Sequence, residues 1–507
     1  APELGGFPSD DIAVEDQATA IDLSAYNVSD ADGDTITLTL GVNRGSIASI
    51  DGNTVSGGVA IAGSGSASMT LQGTAANLNS YLNNTSKITF TTASNDATSA
   101  TLTVTPFDGT VNGSSDTVII SVTSVNDAPI LKARGSNPTF TEGGAAGSLF
   151  SGTSISTIEA GQTIEGLSLS VTNIADGASE ILTLDGTAIA LTHGTHGTTA
   201  SNSLSYSVSV VGTTATLSLT GGTLSAAAAQ TLIDGASYQN NSQDPSTSNR
   251  VVTLTELKDS GGTANGGDNT ATLSVASTVS VVGVNDAPTL TATGSNPTFT
   301  EGGAAGSLFS GTSISTIEAG QTIEGLSLSV TNIADGASEI LTLDGTAIAL
   351  THGTHGTTAS NSLSYSVSVV GTTATLSLTG GTLSAAAAQT LIDGASYQNN
   401  SQDPSTSNRV VTLTELKDSG GTANGGDNTA TLSVASTVSV VGVNDAPTLT
   451  ATGSNPTFTE GGAAGSLFSG TSISTVEAGQ TIEGLTLTVA GLADGANEIL
   501  SVDGTEV

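Results

Sequence analysis

Apolar and polar residues alternate along much of this chain. The alternation is clear in "DTITLTL" (Asp34–Leu40), "SLSYSVSVV" (Ser203–Val211), "TATLSLT" (Thr214–Thr220) and "RVVTLTEL" (Arg250–Leu257). Because successive side chains of a strand point to opposite faces of its sheet, a period of two indicates strands with one buried face. Glycine-rich turns separate these segments at short intervals, which is typical of a β-sandwich.

Two matching segments break the alternation. "TAANLNSYL" (Thr74–Leu82) and "TLSAAAAQTLI" (Thr223–Ile233) favour a short helix, and Thr74 and Ser225 are suitable N-cap residues. The sequence therefore predicts an all-β fold in which each domain carries one short helix.

Internal repetition sets the predicted domain organisation. The stretch Gly135–Pro288 recurs letter for letter at Gly294–Pro447, and a further copy with substitutions begins at Gly453. The pentapeptide VNDAP closes the successive units at Val125–Pro129, Val284–Pro288 and Val443–Pro447. We predict domains at 1–127, 128–286 and 287–445, followed by a partial repeat at 446–507.

Composition narrows the function classes. The chain has no Cys and carries 45 Asp plus Glu against eight Lys plus Arg, a net charge of −37. The lack of Cys excludes disulfides and thiolate metal sites, and the negative charge argues against nucleic acid or an anionic membrane as partner. So many carboxylates with so few cations favour divalent counter-ions, with calcium the first candidate.

Two further features concern targeting. No apolar run reaches about 18 residues, so no membrane span is expected. The opening "APELGGFPSDD" lacks the pattern of a signal peptide, and "SVDGTEV" stops within a repeat. We therefore expect the chain to be part of a longer protein.

Each VNDAP segment follows an alternating run, as in "DTVIISVTSVNDAP" (Asp116–Pro129). Proline cannot donate to a sheet ladder, so a strand that reaches Asp-Ala-Pro ends there. Asn and Asp place oxygen atoms at that point. The motif predicts a joint that carries ligands, although a plain linker turn also fits these residue types.

Three motifs together resemble those of a known family. "TVIISVTSVNDAP" resembles the last strand and linker of cadherin-type repeats, "SDADGDTITLTL" (Ser29–Leu40) their Asp-x-Asp segment, and "LTVTPFDGT" (Leu102–Thr110) their strand ending in Asp-x-Gly. The chain is similar to the bacterial cadherin-like repeats of giant surface adhesins and biofilm-associated proteins. This resemblance implies a tandem array of seven-stranded Ig/cadherin-like sandwiches, calcium between successive domains, and an extracellular place on the bacterial cell surface.

The resemblance also implies a set of calcium ligands. In the first domain, its linker and the start of the next domain they are Glu15, Asp30, Asp32, Asp34, Asp108, Asn126, Asp127 and Glu142. At the later joints they are Asp259, Asn285, Asp286, Glu301, Asp418, Asn444, Asp445 and Glu460.

The long repeats depart from this pattern. They carry "IEAGQT" where the first domain has "DADGDT", which leaves only Glu159 or Glu318 as a carboxylate. Asp259 and Asp418 lie one place later in the alternation than Asp108 does, and the adjacent Lys258 and Lys417 could replace a cation. We therefore expect the later joints to bind fewer ions, to bind them weakly, or to rely on packing.

Other site chemistries are weaker candidates. In "DADGD" the Gly stands fourth rather than sixth, so the EF-hand pattern is not met. "THGTHGTT" (Thr192–Thr199, repeated at Thr351–Thr358) could offer two zinc ligands but lacks a third, so a polar hairpin is expected. "GGTANGGDN" (Gly261–Asn269) lacks the Lys of a phosphate loop, and no nucleophile–base pair is evident. We do not expect an enzyme.

The sequence thus favours a calcium-stiffened stalk segment of a bacterial surface adhesin, with neighbouring repeats and calcium ions as its partners. Two alternatives stay open. The first is a self-assembling filament or matrix subunit, in which chains pair laterally or complete the unfinished domain at Thr448–Val507. The second is a carbohydrate-binding module.

Overall fold

The computed structural model describes all residues from 1 to 507 and contains 42 strands and three short α-helices. This confirms the all-β fold class. The chain divides into two compact units, Ala1–Gly283 and Val284–Val507. Three separate hydrophobic cores lie within residues 13–120, 140–281 and 290–440.

The VNDAP segments Val125–Pro129, Val284–Pro288 and Val443–Pro447 are called here the first, second and third linkers. The strands of the first unit fall into two groups, one on each side of the first linker. The strands before the linker are β1 (Glu3–Gly5), β2 (Asp11–Val14), β3 (Thr19–Ala20), β4 (Asn27–Ser29), β5 (Ile36–Val42), β6 (Ser46–Ser49), β7 (Val55–Ser56), β8 (Val59–Ala62), β9 (Ser68–Gly73), β10 (Ile88–Thr91), β11 (Ala100–Phe107) and β12 (Asp116–Thr123). The strands after it are β13 (Ile130–Gly135), β14 (Thr139–Thr141), β15 (Gly147–Ser148), β16 (Phe150–Ser156), β17 (Ile164–Thr172), β18 (Glu180–Leu184), β19 (Thr187–Ala190), β20 (His196–Thr198), β21 (Ser205–Val211), β22 (Thr214–Thr220), β23 (Ser237–Asn240), β24 (Arg250–Asp259) and β25 (Thr270–Val282).

The second unit repeats the second group of strands. They are β26 (Thr289–Gly294), β27 (Thr298–Thr300), β28 (Gly306–Ser307), β29 (Phe309–Ser315), β30 (Ile323–Thr331), β31 (Glu339–Leu343), β32 (Thr346–Ala349), β33 (His355–Thr357), β34 (Ser364–Val370), β35 (Thr373–Thr379), β36 (Ser396–Asn399), β37 (Arg409–Asp418) and β38 (Thr429–Val441). Beyond the third linker lie β39 (Thr448–Gly453), β40 (Phe468–Ser474), β41 (Ser501–Val502) and β42 (Thr505–Glu506).

Each core is enclosed by one large sheet and a smaller one. In the first, a seven-stranded sheet in the order β2-β12-β11-β5-β9-β8-β7 packs against the three-stranded sheet β3-β10-β6. In the second, the large sheet runs β14-β25-β24-β17-β22-β21-β20 and the smaller one β15-β23-β18-β19. The large sheet alone thus reaches the seven strands that the resemblance implied for a whole domain, because extra hairpins extend it.

The predicted helices are present. They are α1 (Ala75–Leu82), α2 (Ala226–Asp234) and the repeated α3 (Ala385–Asp393). The side chains of Thr74 and Ser225 accept hydrogen bonds from the N–H groups of Asn77 and Ala228, as expected of N-caps. None of these helices has the length and apolar character needed to cross a bilayer.

The second strand of each group pairs in parallel with the last. β2 runs parallel to β12, with Asp11 opposite Ile120 and Val14 opposite Thr123, and β14 and β25 repeat this arrangement. Two parallel strands end at the same edge of a sheet. The residue after β2 therefore lies beside the residues that follow β12, which are those of the linker.

A bulge in β24 changes which residues face inward. The register against β25 shifts between Leu254 and Glu256, so that Leu254 and Leu257 are buried whereas Glu256 is exposed. An extra residue moves every later side chain to the opposite face. The bulge therefore turns Asp259 inward, which explains why it stands one place later in the alternation than Asp108.

Residues 446–507 keep only part of the repeat's pattern. β39 pairs with β40, but their side chains are exposed throughout. Phe458 and Phe468 are 67% and 54% exposed, whereas the matching Phe299 and Phe309 of the preceding repeat are each 1% exposed.

Candidate cation site at the linkers

The first linker, Val125–Pro129, is joined to the first group of strands by Glu15. This residue follows β2 and is 2% exposed. Its N–H donates to Thr123 O at 3.0 Å, and its Oε2 accepts from the N–H of Val125 at 3.1 Å. The parallel pairing of β2 and β12 thus places a buried carboxylate against the linker.

The second group of strands supplies the other side. The N–H of Asp127 donates to Glu159 Oε1 at 3.3 Å. Asp259 is fully buried at the end of β24, and its Oδ1 accepts from Gly261 N at 2.9 Å and from Asn126 Nδ2 at 3.2 Å. Asp259 lies opposite Ile164, the first residue of β17, so the carboxylates that precede β17 and end β24 meet at one edge.

Four buried oxygen atoms at this linker have no hydrogen-bond partner. They are Asp127 Oδ2, Glu159 Oε2, Gln162 Oε1 and Asp259 Oδ2. A buried polar atom without a partner is costly, and such groups are rare in folded proteins. Three carboxylates and one amide oxygen match the hard oxygen ligands that Ca²⁺ prefers. The chemistry of these donors therefore suits a calcium ion.

The pKa values show the same excess of negative charge. Burial, together with the charges of Asp16, Glu159 and Glu15, raises the pKa of Asp127 to about 6. Burial also raises the pKa of Asp259, although hydrogen bonds from Gly261 and Asn126 oppose the shift. Each carboxylate would be stabilised in its charged form by a cation held among them.

The second unit contains the same four-oxygen set at its own linker. The unpartnered atoms there are Asp286 Oδ2, Glu318 Oε2, Gln321 Oε1 and Asp418 Oδ2. The N–H of Asp286 donates to Glu318 Oε1 at 2.7 Å. At the third linker, Asp445 Oδ2 and Glu477 Oε2 are the matching atoms. The "IEAGQT" sequence of the long repeats thus keeps a set of buried oxygens without hydrogen-bond partners.

Lys258 does not take the place of a cation. Its Nζ lies 3.6 Å from Glu165 Oε2, and both side chains are about 41% exposed. Lys417 pairs in the same way with Glu324 at 3.5 Å. The bulge that turns Asp259 inward leaves the preceding lysine on the outer face, so this expectation was wrong.

Glu142 and Glu301 stand near the start of their repeats in sequence, but in space they lie beside the end of the last strand of the same repeat. The N–H of Glu142 donates to Val282 O at 2.9 Å, so Glu142 lies beside the end of β25 and not with Asn126 and Asp127. Glu301 Oε2 accepts from Val443 N at 2.8 Å, at the third linker. Both occupy the place that Glu15 has in the first group, because each follows a strand parallel to the last one. Glu460 is exposed.

The remaining implied ligands form a separate cluster. One carboxylate oxygen of each of Asp30, Asp32 and Asp34 lies within 4.8 Å of the others. The amino group of Ala1 lies 4.0 Å from Asp30 Oδ2 and 3.5 Å from Asp108 Oδ2. Hydrogen bonds from Thr110 and Val111 hold the pKa of Asp108 well below its usual range. Asp30 and Asp108 thus lie together beside Ala1. Neither contributes to the raised pKa of Asp127, which is due to burial and to the charges of Asp16, Glu159 and Glu15.

The two histidines of the first "THGTHGTT" segment engage the backbone. His193 Nδ1 accepts from Val210 N at 3.1 Å, and His196 Nδ1 lies 2.8 Å from Gly194 O. β20 and β21 form the expected hairpin there.

Sequence reasoning missed some residues of the site. Gln162 carries no charge, and Glu159 was noted only as what remained of an Asp-rich loop. The signal that could have found both is their fixed place in "IEAGQT", directly before a strand that pairs with the one ending in Asp259.

No known protein-family profile matches the chain, and no curated protein matches it. Solved structures similar to it include extracellular cadherin domains 3–6 of protocadherin gamma B2 (14% identity, TM-score 0.32, 92% of this chain and 78% of that chain). Mouse cadherin-23 EC22–24 is also similar, with 14% identity and a TM-score of 0.27 over 87% of this chain and 99% of that chain. So is the C-terminal domain of the Streptococcus agalactiae AgI/II polypeptide BspA, with 9% identity and a TM-score of 0.20 over 55% of this chain and 100% of that chain. At these scores the likeness assigns no family to the chain.

Proposed function

We propose that this chain is an extracellular structural and adhesive repeat protein, a segment of a bacterial surface stalk whose linkers are stiffened by calcium. The observation that carries the proposal is the set of four buried, unpartnered oxygens at the first linker, repeated in the second unit. A purely packed joint would leave no reason to bury three uncompensated carboxylates.

The residues would divide the work as follows. Asp127, Glu159, Gln162 and Asp259 would hold the ion, and Glu15 fixes the linker against the end of β12. Calcium would neutralise the charge of Glu159, which raises the pKa of both Asp127 and Asp259. Because Asp127 belongs to the linker, whereas Glu159 precedes β17 and Asp259 ends β24, a bound ion would restrain the linker's motion.

Small-angle X-ray scattering of the full chain tests this proposal. We expect the maximum dimension to be larger and the flexibility smaller with calcium than with excess EDTA, because the ion restrains each linker. Isothermal titration in parallel measures the number of ions bound, and magnesium serves as the control cation. Identical scattering curves in calcium and EDTA, together with no heat of binding, would contradict the proposal.

Calcium binding should also weaken in mild acid. The pKa of Asp127 is raised from 3.8 to about 6, so this carboxyl is protonated below that pH and must lose a proton to bind an ion. Without calcium, the stability of the linker changes with pH in the opposite direction. Protonated Asp127 stabilises the linker, and this contribution is lost as the pH rises through about 6. Calcium titrations at pH 5 and pH 8 measure the effect, and Asp127→Asn should make the affinity weaker and less dependent on pH. An affinity at pH 5 equal to that at pH 8 would refute this assignment.

A further inference from the structure

The asparagine of the first linker is enclosed by a glycine-rich segment of the following repeat. This segment, residues 260–269, is called here the glycine loop, and residues 419–428 repeat it in the second unit. The N–H of Asp268 donates to Asn126 O at 2.7 Å, and Asn126 Nδ2 donates to Asp268 O. Asn126 Nδ2 also donates to Asp259 Oδ1 at 3.2 Å, and Asn126 Oδ1 accepts from Gln162 Nε2.

The contact is close enough to require glycine. A Cβ atom on Gly261 would lie 1.6 Å from Asn126 Oδ1, and one on Gly267 would lie 2.9 Å from Asn126 N. Neither glycine has a positive φ, so the space occupied by Asn126 is what excludes a larger residue. The neighbouring Gly262 is different, since a Cβ there would meet no atom closer than 3.9 Å.

The glycine loop has its own internal support. Asn269 Nδ2 donates to Gly261 O at 3.0 Å, and the N–H of Asp259 donates to Asn269 O at 3.0 Å. The loop also reaches the first group of strands, where Gln17 Nε2 donates to Asn265 O. The loop is therefore held in place before any cation is considered.

The second unit repeats the contact. The N–H of Asp427 donates to Asn285 O at 2.8 Å, Asn285 Nδ2 donates to Asp427 O, and a Cβ on Gly420 would lie 1.7 Å from Asn285 Oδ1. This compact unit begins at Val284, the first residue of its linker, so the linker belongs by its contacts to the repeat that follows it.

We infer that the glycine loop is a cation-independent binding site for the linker asparagine, a latch that fixes the first and second linkers each to the repeat that follows it. Asn126 and Asn285 then act through hydrogen bonds to protein, while Asp127 and Asp286 face the cation. The latch holds the linker asparagine to the following repeat without an ion, and calcium at Asp127 or Asp286 would add a second restraint to the same repeat.

Hydrogen exchange in EDTA tests the latch in the full chain, because the N–H groups of Asp268 and Asp427 are protected by the asparagine carbonyls. The test variant is Gly261→Ala with Gly420→Ala, and the matched control is Gly262→Ala with Gly421→Ala. Both repeats are changed together, so peptides of identical sequence report one rate. We expect exchange of these amides to be at least tenfold faster in the test variant than in the control, with the circular dichroism spectrum unchanged.

A second variant separates a latch from a ligand. Asn126→Asp with Asn285→Asp removes the Nδ2 donors and places a charge beside Asp259 and Asp418, which should also speed exchange at least tenfold in EDTA. If the asparagines were cation ligands instead, the substitution would leave exchange in EDTA unchanged and strengthen calcium binding. An acceleration below tenfold in either variant overturns the latch, and if the alanine variant fails to fold the aspartate variant alone decides. The measurement is made without calcium, so its outcome is independent of the proposed stalk function.

Discussion

Replacing Arg250 by alanine is expected to lower the free energy of unfolding of its core by about 3–5 kcal/mol, because it leaves buried carboxylates without their cation. Arg250 and Glu180 are both fully buried. Arg250 Nε and Nη2 each donate to Glu180 at 3.0 Å, Nη2 also donates to Asp176 at 2.8 Å, and Nη1 donates to Ser246 O at 2.6 Å. Tyr238 completes the cluster through a 2.9 Å hydrogen bond to Glu180 Oε2.

The pKa of Glu180 shows how much this cluster depends on the arginine. Burial alone would raise that pKa, yet hydrogen bonds from Arg250 and from the N–H groups of Asp176 and Ala175 hold it below its usual value. A depressed carboxyl pKa contributes stability that is present above the unfolded value of about 4.5 and is lost as the pH falls further. Without Arg250 the balance reverses, and burial of Glu180 then opposes folding at neutral pH.

Chemical denaturation of the full chain followed by circular dichroism measures the effect. Because the second unit keeps the identical cluster around Arg409, the Arg250→Ala variant should show one early transition beside an unchanged one. Lys258→Ala is the matched control, since its ion pair with Glu165 is about 41% exposed and such pairs contribute about 0–1 kcal/mol. A shift for Arg250→Ala no larger than that of the control would contradict the expected dependence.

The strands and helices were predictable because their signals are local. Alternation in "RVVTLTEL" and "TATLSLT" depends only on neighbouring residues, and both segments form strands with alternating burial at β24 and β22. The caps Thr74 and Ser225 act on N–H groups three residues away. Such features are written in a few consecutive letters, and the structure confirms them.

The site was less predictable because it depends on pairing between distant residues. Nothing local to Glu15 or Glu142 reveals that β2 and β14 run parallel to the last strand of their groups. Glu142 was therefore assigned to the wrong linker. In the same way, the bulge in β24 comes from its register against β25, and only that register turns Asp259 toward the linker and Lys258 away from it.

The burial of Arg250 had no signal of its own in the sequence. Arg at the start of an alternating strand is expected at the surface, since charged side chains are seldom fully buried unless they are paired. The carboxylates that pair with it stand some 70 residues earlier in the chain, and only the fold brings them together.

Replacing Asp259 and Asp418 by asparagine should separate the effect of these carboxylates on folding stability from their effect on calcium binding. Each aspartate is fully buried and has one unpartnered oxygen, and burial raises the pKa of both. A raised folded pKa means that the ionised form opposes folding at neutral pH. In EDTA the Asn variant should therefore be as stable as the parent or more stable. With calcium it should lose affinity by about tenfold or more, because one charged ligand is gone from each set.

The same strands offer the control. Glu256→Gln with Glu415→Gln removes the same charge from β24 and β37, three residues before each aspartate and on the exposed side of the bulge. Thermal unfolding of both variants and the parent, in EDTA and across a calcium titration, gives the comparison. At a calcium concentration of 100 times the parent's Kd, binding stabilises the folded chain by about 2.7 kcal/mol per site, and a tenfold weaker site loses about half of this. If the two variants respond alike to calcium, Asp259 and Asp418 are not ligands; if the Asn variant is less stable in EDTA, these carboxylates hold the linker through their hydrogen bonds to Asn126 and Asn285.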